Sequence, residues 1–120
     1  HFTHGRLKVF MTIILAVILI VLVVVCAKKI KLAQNEKNII GTWKNSSSEN
    51  VITVQDSEAL ILYNDIPEAG LYHGNASYHF SYTDTICITQ DDISAEFDID
   101  VDENQLIIYF AGQVYLVLQK

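Results

Sequence analysis

Phe97-Asp98-Ile99-Asp100-Val101-Asp102-Glu103-Asn104-Gln105-Leu106-Ile107-Ile108-Tyr109-Phe110-Ala111-Gly112-Gln113-Val114-Tyr115-Leu116-Val117-Leu118-Gln119 is the stretch that decides the fold class. Its first six residues alternate with period 2, placing Phe97, Ile99 and Val101 on one face of a strand and Asp98, Asp100 and Asp102 on the other. A sheet with one wet face requires that pattern. Asp102-Glu103-Asn104 is a polar turn and Ala111-Gly112 separates the last two strands, so consecutive strands are joined by short hairpins. Gln105–Phe110 and Val114–Gln119 are apolar on both faces. Such strands need cover on both sides, by barrel contents within and by a helix, a partner chain or the bilayer surface without.

Working back toward the N-terminus, short runs rich in Val, Ile, Thr, Tyr and Phe alternate with polar or glycine-containing turns. The pattern predicts strands at Val51–Gln55, Ala59–Asn64, Gly70–His73, Ala76–Tyr82, Thr85–Gln90, Ala95–Val101, Gln105–Phe110 and Val114–Gln119, with Gly74-Asn75 as a two-residue hairpin. Eight such strands make an antiparallel meander. An open sheet of them would leave unpaired edges, so closure into a compact barrel is expected.

Upstream the chain changes character. Phe10 to Ala27 reads FMTIILAVILIVLVVVCA, 18 residues without a charge and with Thr12 as the one clearly polar member. With Val9 the run spans roughly 28 Å as a helix, close to the hydrocarbon thickness of a bilayer. A stretch apolar on every face needs a surrounding core that so small a remainder cannot supply, so it reads as a transmembrane helix. Arg6 and Lys8 ahead of it also fit a secretory leader, but no small-x-small site follows before Lys28, Lys29 and Lys31, and an uncleaved signal-anchor is the better fit. Lipidation at Cys26 is the third reading, disfavoured because Val25 stands where a small residue is wanted. The divisions expected are a short basic segment (residues 1–8), the transmembrane helix (9–27), a solvated basic helical stalk (28–38) and the β-domain (39–120).

The chain has 120 residues, 51% hydrophobic, with five Gly, one Pro and two Cys. Those figures exclude a low-complexity tail, a disulfide-stapled miniprotein and a cysteine zinc finger. The net charge of −6 divides unevenly: residues 1–37 carry six basic side chains and one acidic, net +5, and residues 38–120 two basic and thirteen acidic, net −11. Such a balance argues against nucleic acid as a partner and puts the basic collar where anionic headgroups lie. Counting flanking lysines places the acidic domain in the cytoplasm, since Lys28, Lys29, Lys31 and Lys37 outnumber Arg6 and Lys8. A single-pass protein of the cell membrane with an extracellular C-terminal domain is nonetheless the expectation taken forward.

Residues that could carry chemistry do not assemble into a site at this level. His73 and His79 would lie on the two arms of the Gly74-Asn75 hairpin, short of the three or four ligands that zinc needs. Asp98-x-Asp100-x-Asp102-x-Asn104 resembles half a calcium loop, but Glu103 and Tyr109 occupy the positions that need Gly and Glu. Cys87 sits in an alternating strand without a nearby basic activator, and no nucleophile elbow or phosphate-cradling glycine loop is present. The expectation is a protein without catalytic residues, metal or cofactor.

Ile39-Ile40-Gly41-Thr42-Trp43 resembles the Gly-x-Trp opening of lipocalins. Followed by Gly70-Leu71-Tyr72 and Val114-Tyr115-Leu116, it is more similar still to the small lipocalin-like domains of unknown function on Gram-positive surface and secreted proteins, over residues 39–120. The resemblance implies an all-β fold, a small antiparallel eight-stranded lipocalin-like barrel, here behind one N-terminal transmembrane α-helix. It makes Gly41, Trp43, Gly70 and Tyr72 structural motif residues, with Trp43 closing the barrel floor beneath a basic residue of the last strand. No Arg follows Arg6 and Lys120 stands last, so the sequence offers no evident residue for that cap.

Two functions are then open. One is an interaction module that presents its acidic surface or its apolar C-terminal hairpin to a protein partner, and this is the reading preferred. The other is a carrier for a small apolar or amphiphilic ligand, with Trp43, Tyr72, Tyr78, Phe80, Tyr82, Tyr109 and Tyr115 as the ligand-binding candidates.

Overall fold

A computed structural model describes the backbone of residues 2–120 and the side chains of residues 6–120. The chain divides between Lys31 and Leu32 into two compact units. Helix α1 (Phe2–Asn38) makes up the first and continues into the second, so the expected anchor and stalk are one uninterrupted helix and the residue before Phe2 lies outside the description. From Arg6 to Lys31 every side chain is exposed, and the helix is long and apolar enough to cross a membrane. Apolar groups on all faces with no protein around them are what a lipid environment accommodates. The Thr12 hydroxyl donates to the Lys8 carbonyl at 2.9 Å, so the polar member of the run is satisfied within the helix.

The second unit is a closed antiparallel barrel of eight strands in sequence order. They are β1 (Gly41–Lys44), β2 (Asn50–Val54), β3 (Ala59–Leu62), β4 (Gly74–Tyr82), β5 (Thr85–Gln90), β6 (Ile93–Val101), β7 (Gln105–Phe110) and β8 (Gln113–Gln119). Alternation decides which residues enter the core. Phe97, Ile99 and Val101 of β6 are buried, while Glu96, Asp98 and Asp100 face solvent. Leu106 and Ile108 of β7, Leu118 of β8, Ile86 and Ile88 of β5 and Leu60 and Leu62 of β3 meet them inside.

Trp43 plugs one end. It is 0% exposed, and its indole N–H donates to the Ile39 carbonyl at 2.8 Å. The Lys120 ammonium stands 5.0 Å from the ring centroid, a cation–π distance. Lys120, just beyond β8, thus covers one face of the ring. Gly41 makes room for it: a Cβ there would lie 3.0 Å from the Lys120 Cε, and its φ of 133° is one that other residues rarely adopt. Asn35, in the segment read as solvated stalk, is 2% exposed, and its Nδ2 donates to the Thr83 carbonyl in the β4–β5 turn at 2.8 Å. The end of α1 is therefore part of the barrel's packing.

Eight strands were expected and eight are present, but two differ. Gly41–Lys44, read as a motif ahead of the first strand, is itself β1, too short for any periodicity to reveal. Gly70–His73 is not a strand and Gly74-Asn75 is not a hairpin, since Gly74 and Asn75 open β4 and pair with Leu62 and Ile61 of β3. The connection between β3 and β4 is instead a long loop with a 3₁₀ turn at Pro67–Ala69, which ends at Gly70 with φ 75°. Pro67 presets the turn and Gly70 adopts the left-handed conformation that closes it, and those two residues break the extended chain.

In the β7–β8 hairpin, Ala111 (φ 53°) and Gly112 (φ 78°) both take positive φ, as a type I′ turn demands. Ala111 carries a left-handed strain of about 1 kcal/mol that glycine would not. Ala111→Gly is expected to raise unfolding stability by about 0.5–1 kcal/mol, less any entropy the more flexible unfolded chain recovers, as read by urea denaturation of the chain in detergent micelles. An unchanged or lower midpoint would count against the turn assignment.

Candidate functional site

In an up-and-down barrel the turns fall alternately at the two ends. The end of α1, Trp43, Lys120 and the β2–β3, β4–β5 and β6–β7 turns share one end, which is sealed. The other end carries the β1–β2, β5–β6 and β7–β8 turns and the long β3–β4 loop, which folds back as a lid. Ile66 and Leu71 exchange backbone hydrogen bonds of 2.8 and 3.0 Å, and both are buried.

Side chains fasten this lid to the strands. Gln90, buried at the end of β5, accepts from the Tyr72 N–H at 2.9 Å and donates to the carbonyls of Tyr72 (2.8 Å) and Asn75 (3.3 Å). A side-chain amide that replaces missing sheet partners is what lets so irregular a segment lie against the barrel. The Tyr72 hydroxyl donates to the Asp91 carboxylate, which raises the Tyr72 pKa. The Tyr115 hydroxyl donates to Glu68 at 2.8 Å, and burial, then that carboxylate, push its pKa up. Asp65 accepts from the His73 N–H at 2.9 Å and pairs with the His73 ring at 2.7 Å; those two bonds hold its carboxyl below the usual value.

Beneath the lid is a cavity of about 200 Å³ lined by Asn45, Val51, Ile52, Leu62, Asn64, Asp65, Ile66, Tyr115 and Leu116. Its position follows from how the barrel closes. β1 and β8 share the single pair Lys44–Gln119. Past that pair the chain turns away at Asn45, and Gln113, Val114, Leu116, Val117 and Leu118 are paired with β7 alone, with Tyr115 in a bulge between them. The cavity occupies the wedge between them, walled by Tyr115 and Leu116 on one side and by Asn45, Val51 and Ile52 on the other.

On the outer surface the register aligns two rows. Asp98, Tyr109 and Val114 stand side by side across β6, β7 and β8, and so do Asp100, Ile107 and Val117. Val114 is 59% and Val117 49% exposed, giving an apolar stripe bordered by two carboxylates. A third row, His79, Cys87 and Glu96 across β4, β5 and β6, brings together residues that the sequence keeps far apart. Among the described residues no group of three or more His, Cys, Asp or Glu is placed to hold a metal ion.

The aromatic candidates separate into distinct environments. Trp43 is sealed in the core, and Tyr78 is buried with its hydroxyl donated to the Asp56 carbonyl at 2.7 Å near the sealed end. Phe80 packs edge-on to Tyr78 with ring centroids 6.3 Å apart. Tyr72 and Tyr82 are exposed, and Tyr109 belongs to the outer stripe. Of the seven, Tyr115 lines the cavity. The remaining lining residues were not singled out by the sequence, because it is the early end of β1 beside β8 that creates their site. Of the motif residues, Gly41 and Trp43 form the sealed end, while Gly70 and Tyr72 belong to the lid. Comparison with known protein families, with curated proteins and with solved structures found no match.

Gln90→Ala is expected to free the lid, raising hydrogen-exchange rates at Tyr72 and His73 and lowering stability by about 2–3 kcal/mol for the buried groups left unpaired. Rates unchanged from the parent would show that other contacts hold it. Burial, with smaller contributions from Asp56 and Glu36, pushes Tyr78 up to about 12. A raised tyrosine pKa favours the folded state fully below the ordinary value near 10 and loses that contribution as pH rises through about 12. The urea midpoint should therefore fall between those pH values, and by less in Tyr78→Phe; equal falls would assign the alkaline loss to other groups.

Proposed function

We propose that the chain is a membrane-anchored, non-enzymatic interaction module of the lipocalin-like kind. In this reading α1 holds the barrel at the cell surface, with the C-terminal domain outside, and the barrel engages another protein through the outer face of β7 and β8. The observation that carries it is the outer stripe in which exposed Val114 and Val117 adjoin half-buried Tyr109 and Ile107, next to Asp98 and Asp100, on a barrel most of whose inward side chains are committed to its own core. Isolated exposed apolar residues are ordinary, but two exposed valines backed by two half-buried apolar neighbours in adjacent rows form a patch of the kind that partners cover. Kinship with lipocalin-like domains rests on Gly41-Thr42-Trp43 at the sealed end and the cation over Trp43.

A second reading has its own observation, the cavity under the lid. At about 200 Å³ it is below the usual range for ligand pockets, which begins near ~300 Å³, but it could hold a small apolar molecule.

Native mass spectrometry of the full chain, extracted from its source membrane in mild detergent, separates the two. A second protein that co-purifies with the parent and is lost from Val114→Lys and Val117→Lys supports the interaction module. A small molecule retained by the parent and by both variants supports the carrier, and a chain that carries neither counts against both.

A further inference from the structure

The free side of β8 is more specific than an apolar patch. A strand paired on one side presents a row of backbone N–H and C=O groups on the other, which natural proteins cover, shorten or use to bind. Here β7 pairs with β8 from Gln105–Gln119 to Phe110–Gln113, with one bulge that leaves Tyr115 without a partner and turns it and Leu116 toward the same cavity, whereas β1 meets β8 only at Lys44–Gln119. Beside the unpaired length lies the wedge-shaped cavity, with Leu116 and Tyr115 of β8 as one wall. Strand edge and side-chain pocket therefore adjoin, and that is the combination by which an extended peptide is recognised: main-chain bonds to the edge, and an alternate side chain in a pocket.

We propose that β8 accepts an extended segment of a partner protein as an added strand, with one large apolar side chain in the cavity between Leu116 and Ile52 and lysine or arginine among its neighbours. Size supports the first feature, since cavities of ~150 Å³ hold a benzene ring and this one is about 200 Å³. Charge supports the second. Residues 38–120 carry a net −11, with Glu49, Asp65 and Glu68 on the segments around the cavity. The same charge disfavours a second copy of this barrel as the occupant, because like potentials meet. The inference rests on the interaction reading and names its mode and the chemistry of its partner.

The probe is a short synthetic peptide that alternates lysine with valine around a central phenylalanine, titrated into the full chain in zwitterionic detergent micelles. Binding should slow hydrogen exchange within Gln113–Leu118, weaken as salt rises, and fall about tenfold or more when alternate peptide amides are N-methylated, which removes edge pairing but keeps charge and side chains. Leu116→Trp should abolish it by filling the pocket. Should that variant misfold, Asn64→Trp, at an exposed position on the same cavity, serves instead. Equal binding by the N-methylated peptide, protection confined to other strands, no binding, or β8 already protected by self-association would each overturn the proposal. If the co-purifying partner is lost from the Val117→Lys variant but retained by Leu116→Trp, the interaction module stands and strand addition alone falls.

Discussion

The closure of the barrel at one residue pair, Lys44 with Gln119, is the constraint on which the other features depend. β1 has four residues, so it cannot run the length of β8, and the seam must be completed by side chains. Below the pair this is done well: Trp43 fills the end, its N–H is taken by Ile39, and Lys120 returns over the ring. Above it the strands part, and the lid from Tyr63 to His73 covers what a ninth strand or longer turns would otherwise cover. The cavity is what remains between the lid, the side chains of β2 and β3, and the length of β8 that β1 does not reach.

The two ends of the barrel therefore differ in physical character. The sealed end joins the end of α1 to the strands through one local bond, Trp43 to Ile39, and one distant one, Asn35 to Thr83. The lidded end depends on long-range polar ties, Gln90 to Tyr72 and Tyr115 to Glu68, set among carboxylates. The Tyr115–Glu68 bond lies at an exposed rim and is weak, whereas the buried Gln90 bonds are costly to break, so the lid is held chiefly at one point. Motion and recognition are accordingly expected at the lidded end, with the sealed end as scaffold.

Local pattern identified β5 and β7 to the residue, and β6 and β8 to within two, because β5 and β6 alternate and β7 and β8 are apolar runs bounded by turn residues. It failed at β1, which is too short, and at residues 70–75, where Gly-rich composition imitates a hairpin. Pro67 and Gly70 were visible as chain breakers, but reading them correctly needed the knowledge that Leu62 pairs with Gly74. The aromatic side chains were conspicuous as a set, and alternation with Ser77 and His79 already turns Tyr78 inward, but Tyr109 stands between Ile108 and Phe110 in a strand with no polar face, and there only the register with β6 and β8 decides that it faces out.

That an apolar helix precedes an acidic, all-β domain, and that the last two strands leave apolar side chains outside, is legible in the order of residues alone. Both follow from local pattern: eighteen residues without a charge, and strands with no polar face. Tertiary structure alone decided where β1 stops against β8, hence the wedge, the lid over it and the free edge beside it. Those depend on the stagger with which a sheet closes on itself, a property of all eight strands together that no single stretch of the chain encodes.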